Sequence, residues 1–225
     1  MTTRRSPLEV IPATVARAVG GLRTWFVIGG QAVRCHVLYR PSDDVDFGVP
    51  RKKDLMALLD SFRAKGRVEI IEKSSDTVHL SFEGIDVSIF VLPKLVPHVE
   101  DQALSVTGIL ATKLHAILDR GARRDFFDLY VVLEKERVGI VDGLCALREV
   151  YATDANEGLV LRALSYFDDA DREAPLPGEG PGDWDRVKRF FSDRVAAQLL
   201  PPERPLGIQS RSVLPAPKRR RRSGR

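Results

Sequence analysis

Residues 25–49 read WFVIGGQAVRCHVLYRPSDDVDFGV, and the reading of the fold starts from them. The apolar run from Trp25 to Ile28 reads as a buried strand that ends on Gly29 and Gly30. Residues 31–38 then carry apolar side chains at helical spacing until Arg40 and Pro41 stop them. The chain re-enters as a second strand. There Val45, Phe47 and Val49 take one face and Asp44 and Asp46 the other, because strand side chains alternate with period two. Two carboxylates held that close repel each other, an arrangement that favours a cation between them. Hard divalent ions such as magnesium take oxygen ligands, usually one or two carboxylates plus phosphate oxygens of a substrate. The glycines supply the complementary half: backbone without a Cβ approaches a phosphate closely, and the next helix presents unpaired N–H groups to it.

The ordered set Gly29-Gly30, helix, Arg40, Ser42, Asp44-Val45-Asp46 resembles the opening motif of the nucleotidyltransferase superfamily with the polymerase β type of fold. It is most similar to the branch of AbiEii/AbiGii-type toxins of bacterial toxin–antitoxin systems. The resemblance implies an α+β fold: a core of small mixed sheet flanked by helices over residues 1–108, followed by a helical part over 109–200. One departure stands out. Gly29 is followed by glycine where many members of the superfamily have serine, which removes one hydroxyl from the phosphate contacts.

Composition sets outer limits. The chain has 225 residues, 44% hydrophobic and 29% charged, ordinary for a globular protein with ample material for a core. No apolar run approaches the roughly 20 residues of a membrane span, and MTTRRSPLEV lacks the apolar segment of a secretory signal. A cytoplasmic protein is expected. Cys35 and Cys145 have no metal-type spacing, which argues against structural zinc. The scattered His36, His79, His98 and His115 read as structural. The net charge of +4 misrepresents the body: Lys218, Arg219, Arg220, Arg221, Arg222 and Arg225 follow the last acid, Glu203, and without them it becomes −2. Residues 201–225 therefore read as a basic tail, expected to be disordered.

Elsewhere the pattern predicts helices over 7–22, 51–65, 109–136 with a break at Gly121, 138–149, 157–171 and 183–200, and strands over 68–72, 77–82 and 85–92. On the last strand Asp86 and Ser88 share a face opposite Ile85, Val87 and Ile89. In the resemblance a third acid belongs here, so Asp86 is expected to ligate metal with Asp44 and Asp46 or to take the proton of the attacking hydroxyl. The segment Lys113 to Tyr130, with Arg120-Gly121 and Arg124-Asp125-Phe126-Phe127-Asp128-Leu129-Tyr130, looks like the lysine and aspartate motifs of the same toxin family. Carried over, Lys113 would bind nucleotide phosphates, and Asp125 would orient a basic residue or hold the site together. Local pairing of Asp125 and Asp128 with Arg124 and Arg120 is the alternative.

The catalytic set implied is Asp44, Asp46, Asp86, Lys113 and Asp125, with Gly29, Gly30, Arg40, Ser42 and Lys113 on the nucleotide. The resemblance further implies Mg2+, a nucleoside triphosphate donor, an RNA acceptor such as transfer RNA, and a cognate antitoxin. Two other readings use the same residues: a nucleotidyltransferase acting on a small molecule, and a catalytically silent nucleotide-binding protein.

Overall fold

The computed structural model describes residues 4–42, 44–152 and 156–199; the basic tail expected over 201–225 lies outside them. After α1 (Pro7–Val10) and α2 (Ala13–Val19) come β1 (Phe26–Val27), α3 (Gly29–His36), β2 (Val45–Val49) and α4 (Lys52–Lys65). Next are β3 (Val68–Lys73), β4 (Thr77–Phe82) and β5 (Ile85–Val91), a 3-10 segment Pro93–His98, and the short β6 (Val99–Glu100) and β7 (Ala103–Leu104). The rest is helical: α5 (Val106–Asp119), α6 (Arg123–Glu136), α7 (Ile140–Tyr151), α8 (Glu157–Ala163), α9 (Asp168–Asp171) and α10 (Asp183–Leu199). Among the described residues no helix is long and apolar enough to cross a membrane.

The strands form one mixed seven-stranded sheet in the order β3-β4-β5-β2-β1-β7-β6. β2 runs parallel to β5 and β1 parallel to β7, while the other pairs are antiparallel. The alternation in β2 explains its place near the centre. Val45, Phe47 and Val49 are all fully buried. Phe47 meets Trp25 edge-on at 5.4 Å and Phe62 of α4 at 6.1 Å, and Phe62 continues to Phe82 of β4 at 4.8 Å. Each such ring taken from water contributes about 1.5–3 kcal/mol. That face of β2 is thereby committed to α4, which leaves Asp46 on the other. Gly48 lies across from Phe26, whose ring occupies the place a Cβ would take, so no larger residue fits there.

Several helices differ from the periodicity in ways their residues explain. The helix expected over 7–22 breaks at Pro12, since the residue before a proline is driven to extended backbone: Ile11 has ψ 158. α5 starts three residues earlier than its apolar stripe suggests, because the Ser105 hydroxyl accepts from the Gly108 N–H as an N-cap. It ends before Gly121, whose φ of +57 turns the chain into α6. The single helix expected over 157–171 is two. The Ser165 hydroxyl bonds back to the Leu161 carbonyl, and Phe167 turns inward to meet Phe126 at 5.2 Å and Trp184 of α10 at 5.9 Å.

Candidate nucleotidyl-transfer site

The site grows from the junction of β1 and α3. Gly29 opens α3 with φ +58, and a Cβ added there would stand 2.7 Å from Asp46 Oδ2; one added to Gly30 would stand 2.9 Å from Ser42 Oγ and 3.1 Å from Arg40 Nη2. Each glycine thus makes room for polar side chains converging on the positive end of α3. Ser42 and Asp44 are tied down by Gln31, a buried residue the sequence analysis did not single out. Its Nε2 donates to the carbonyls of Ser42 and Asp44 at 3.0 and 2.9 Å. Ser42 Oγ in turn donates to Asp44 Oδ1 at 2.8 Å.

Asp44 and Asp46 border one cavity of about 290 Å3 with Gly29, Gly30, Arg40 and Ser42. Burial, and then the neighbouring charge of Asp44, hold the Asp46 carboxyl above its ordinary range despite Lys113, Ser88 and Arg124 nearby. Two carboxylates this close raise the cost of ionising the buried one, and the pair fits a divalent ion held by two carboxylates and the oxygens of a bound phosphate. Asp86 does not complete a three-acid set. Among the described residues no group of three His, Cys, Asp or Glu side chains could hold a metal ion. In the parallel β2–β5 ladder Ser88 lies across from Asp46, and Asp86 is two residues earlier on the same face, toward Asp44. Asp86 is exposed and borders the adjoining cavity, which Asp44, Arg40 and Arg124 also line.

The remaining wall is a chain of charges on α5 and α6. Lys113, 5% exposed, sits between Asp125 and Asp128, each fully buried, with Nζ 3.1 Å from Asp125 Oδ1 and 2.5 Å from Asp128 Oδ2. Arg120 adds two hydrogen bonds to Asp125, at 2.8 and 3.1 Å. On the far side Asp128 accepts from Arg40 Nη2 at 3.2 Å and from the Tyr39 hydroxyl. Burial works against each charge, yet the partners outweigh it: Lys113 is raised by Asp128 and Asp125, while Arg120 and Lys113 hold Asp125 low. Lys113 borders the cavity but is fully engaged with these acids. Asp125 pairs with Arg120 as the local alternative has it. Arg124, expected to pair with Asp125 or Asp128, instead reaches toward Asp44 Oδ2 at 3.7 Å. Besides Phe90, the cavity has two polar lining residues that sequence reasoning gave no role there, His79 and Ser88. Their signal was the β4–β5 hairpin, whose pairing sets the two side by side.

Paired carboxylates beside a glycine-led helix start, ringed by guanidinium groups, make this cavity the candidate site. The chain belongs to the AbiEii nucleotidyl transferase toxin family of type IV toxin–antitoxin systems, whose family model matches residues 16–197. The uncharacterized protein aq_aa25 of Aquifex aeolicus (strain VF5) is 27% identical over 191 residues, covering 81% of this chain and 91% of its own. Two solved structures have similar outlines. The antibiotic-resistance factor ANT(2'')-Ia is 12% identical, with a TM-score of 0.48 over 64% of this chain and 92% of its own. A protein from H. pylori described as a nucleotidyltransferase is 15% identical, with a TM-score of 0.47 over 83% and 93%.

Proposed function

We propose that this enzyme transfers a nucleotide from a nucleoside triphosphate to an RNA acceptor such as transfer RNA, as the magnesium-dependent toxin of a cytoplasmic toxin–antitoxin pair. The observation that carries the reading is the convergence of Asp44, Asp46, Gly29, Gly30 and three arginines on one cavity. Nucleotidyl transfer asks the protein mainly to position reactants and stabilise charge, and these groups divide that work. Asp44 and Asp46 would hold the ion together with triphosphate oxygens. When bound, it would supply charge neutralisation on the triphosphate and ease deprotonation of the attacking hydroxyl. Gly29 and Gly30 admit the triphosphate to the N–H groups of α3. Ser42, whose hydroxyl crowds the place a side chain at Gly30 would occupy, offers the hydroxyl that the Gly-Gly pair lacks.

Phosphate contact falls to Arg120 and Arg124, each about half exposed, and to Arg40. Lys113 would give up its contacts with both buried carboxylates in turning to a phosphate, so its part is to hold Asp125 and Asp128, which aim Arg120 and Arg40. Arg124 would exchange Asp44 for phosphate as the ion binds. Asp86, on the rim beside Asp44, faces the side from which an acceptor would enter. The test is incubation with each α-labelled nucleoside triphosphate, magnesium and total bacterial RNA, resolved on a gel. A labelled RNA band is expected that disappears with Asp46→Asn or with chelator. No labelled RNA from any of the four donors would reject the RNA acceptor.

A further inference from the structure

A histidine stands inside the site, and strand register puts it there. His79 of β4 lies across from Ser88 of β5, and Ser88 lies across from Asp46 of β2. Cross-strand partners project from the same face of a sheet, so the three form a row, and all three border the carboxylate cavity. His79 Nδ1 is 2.9 Å from Ser88 Oγ, and Ser88, across from Asp46 in the ladder, is among the groups that draw the Asp46 carboxyl down. Counting protons then favours one tautomer. A carboxylate only accepts, and a serine hydroxyl has one proton to give. Where that proton is directed to the neighbouring Asp46, Nδ1 donates to Ser88 Oγ, and in a neutral imidazole the lone pair is left on Nε2. Nε2 has no hydrogen-bond partner among the described residues.

We propose that His79 is a catalytic residue of this enzyme, accepting through Nε2 the proton of the attacking hydroxyl while Ser88 and Asp46 hold its ring. The proposal rests on the nucleotidyl-transfer reading and fills the task for which the sequence offered Asp86, an exposed residue bordering the neighbouring cavity. The acceptor oxygen forms a bond to the α-phosphorus, and the bond from that phosphorus to the pyrophosphate oxygen breaks. The bonding pair leaves with pyrophosphate, and the hydroxyl proton passes to Nε2 and from there to water. The surroundings bear on the charge this creates. Glu72 of β3 stands across from His79. The Phe90 ring meets it edge-on at 5.5 Å. Asp44 and Asp46 of the β2 segment, Lys113 and Arg120 of α5 and Arg124 of α6 share its cavity.

The experiment compares the full-length protein with His79→Asn and Ser88→Ala in the labelled-nucleotide assay with magnesium and total bacterial RNA, measuring kcat and KM across pH. Asparagine keeps an N–H at the Nδ1 position for Ser88 and removes Nε2, so it separates proton acceptance from ring anchoring. A general base contributes typically ~10²- to 10⁴-fold. His79→Asn is therefore expected to lower kcat by that factor with the nucleotide KM nearly unchanged, and to lose the acidic limb of the kcat profile. Ser88→Ala is expected to lower kcat by less and keep that limb. Wild-type kcat in His79→Asn overturns the proposal, as does a loss expressed wholly in KM. Should that variant melt early, His79→Gln is judged by the same outcomes. A wild-type protein that labels no RNA overturns the RNA reading and this inference with it, whereas an active wild type with an equally active variant overturns the inference alone.

Discussion

Asp46 is where burial and charge conflict, and single substitutions around it have opposite expected effects on stability and activity. Its folded-state pKa is raised, by burial first and by Asp44 second. Ionised Asp46 therefore costs stability at neutral pH, and that cost fades as pH falls through the raised folded value toward the ordinary carboxylate range. Asp46→Asn should melt at or above wild type at pH 7 in chelator, with the difference vanishing toward pH 4, while nucleotidyl transfer is abolished. A variant melting well below wild type would make the carboxylate structural. Gly29→Ala should do the reverse. Its Cβ would meet Asp46 Oδ2 at 2.7 Å, and φ is +58, a conformation that costs a side chain about 1–2 kcal/mol. A stability loss of that size, read as a lower melting temperature, with kcat reduced because the carboxylate is displaced, is the result expected from thermal melts and turnover.

At the scale of elements, α5 and α6 are stapled by Lys113 between two carboxylates that are fully buried. Removing one partner of a lone buried pair typically costs about 3–5 kcal/mol because a charge is left uncompensated, but here Arg120 still holds Asp125, and Arg40 with Tyr39 still holds Asp128. Lys113→Met should therefore lose less than that in urea unfolding, and its effect should not add to those of Asp125→Asn and Asp128→Asn, since groups in one network are not additive. Asp125 has the opposite sign to Asp46: its folded-state pKa is lowered. The stability it contributes is present above its unfolded value and is lost as pH falls through the folded one. What the sequence showed of these elements followed from period. The 2.0 period of β2 and the 3.6 period of α4, α5 and α6 made them legible, along with the Gly29-Gly30 turn and the Asp44/Asp46 pair. Partnership was not legible. That β2 runs beside β5 with Ser88 rather than Asp86 opposite Asp46 depends on register between segments about 40 residues apart. That Arg124 reaches Asp44 rather than Asp125 depends on how α6 lies over the sheet, which no local pattern encodes. His79 passed for structural because a lone histidine on a strand gives no sign of the cavity it faces.

For the molecule as a whole, the prediction that follows from a toxin family is slowed growth. Expression of the chain without a neighbouring gene product should slow a bacterial host, and Asp46→Asn at equal protein level should not; equal growth of the two strains would count heavily against a toxic activity. Charge carries the second prediction at this scale. The chain is +4 overall and −2 without Lys218, Arg219, Arg220, Arg221, Arg222 and Arg225, so sequence-independent attraction to RNA rests disproportionately on those six. Each phosphate neutralised by a cation contributes a slope of about 0.7–0.9 to log affinity against log salt. Truncation after Leu214 should therefore weaken RNA binding and flatten its salt dependence by about that much for every phosphate no longer neutralised, measured by filter binding across a salt series. Turnover at saturating acceptor should survive, because the carboxylates, glycines and cations of the site all lie between Gly29 and Asp128. The effect belongs in apparent affinity rather than maximal rate. An unchanged salt slope would remove these cations from RNA recognition and assign them to an acidic protein partner, for which the same truncation would release the antitoxin while leaving RNA affinity intact.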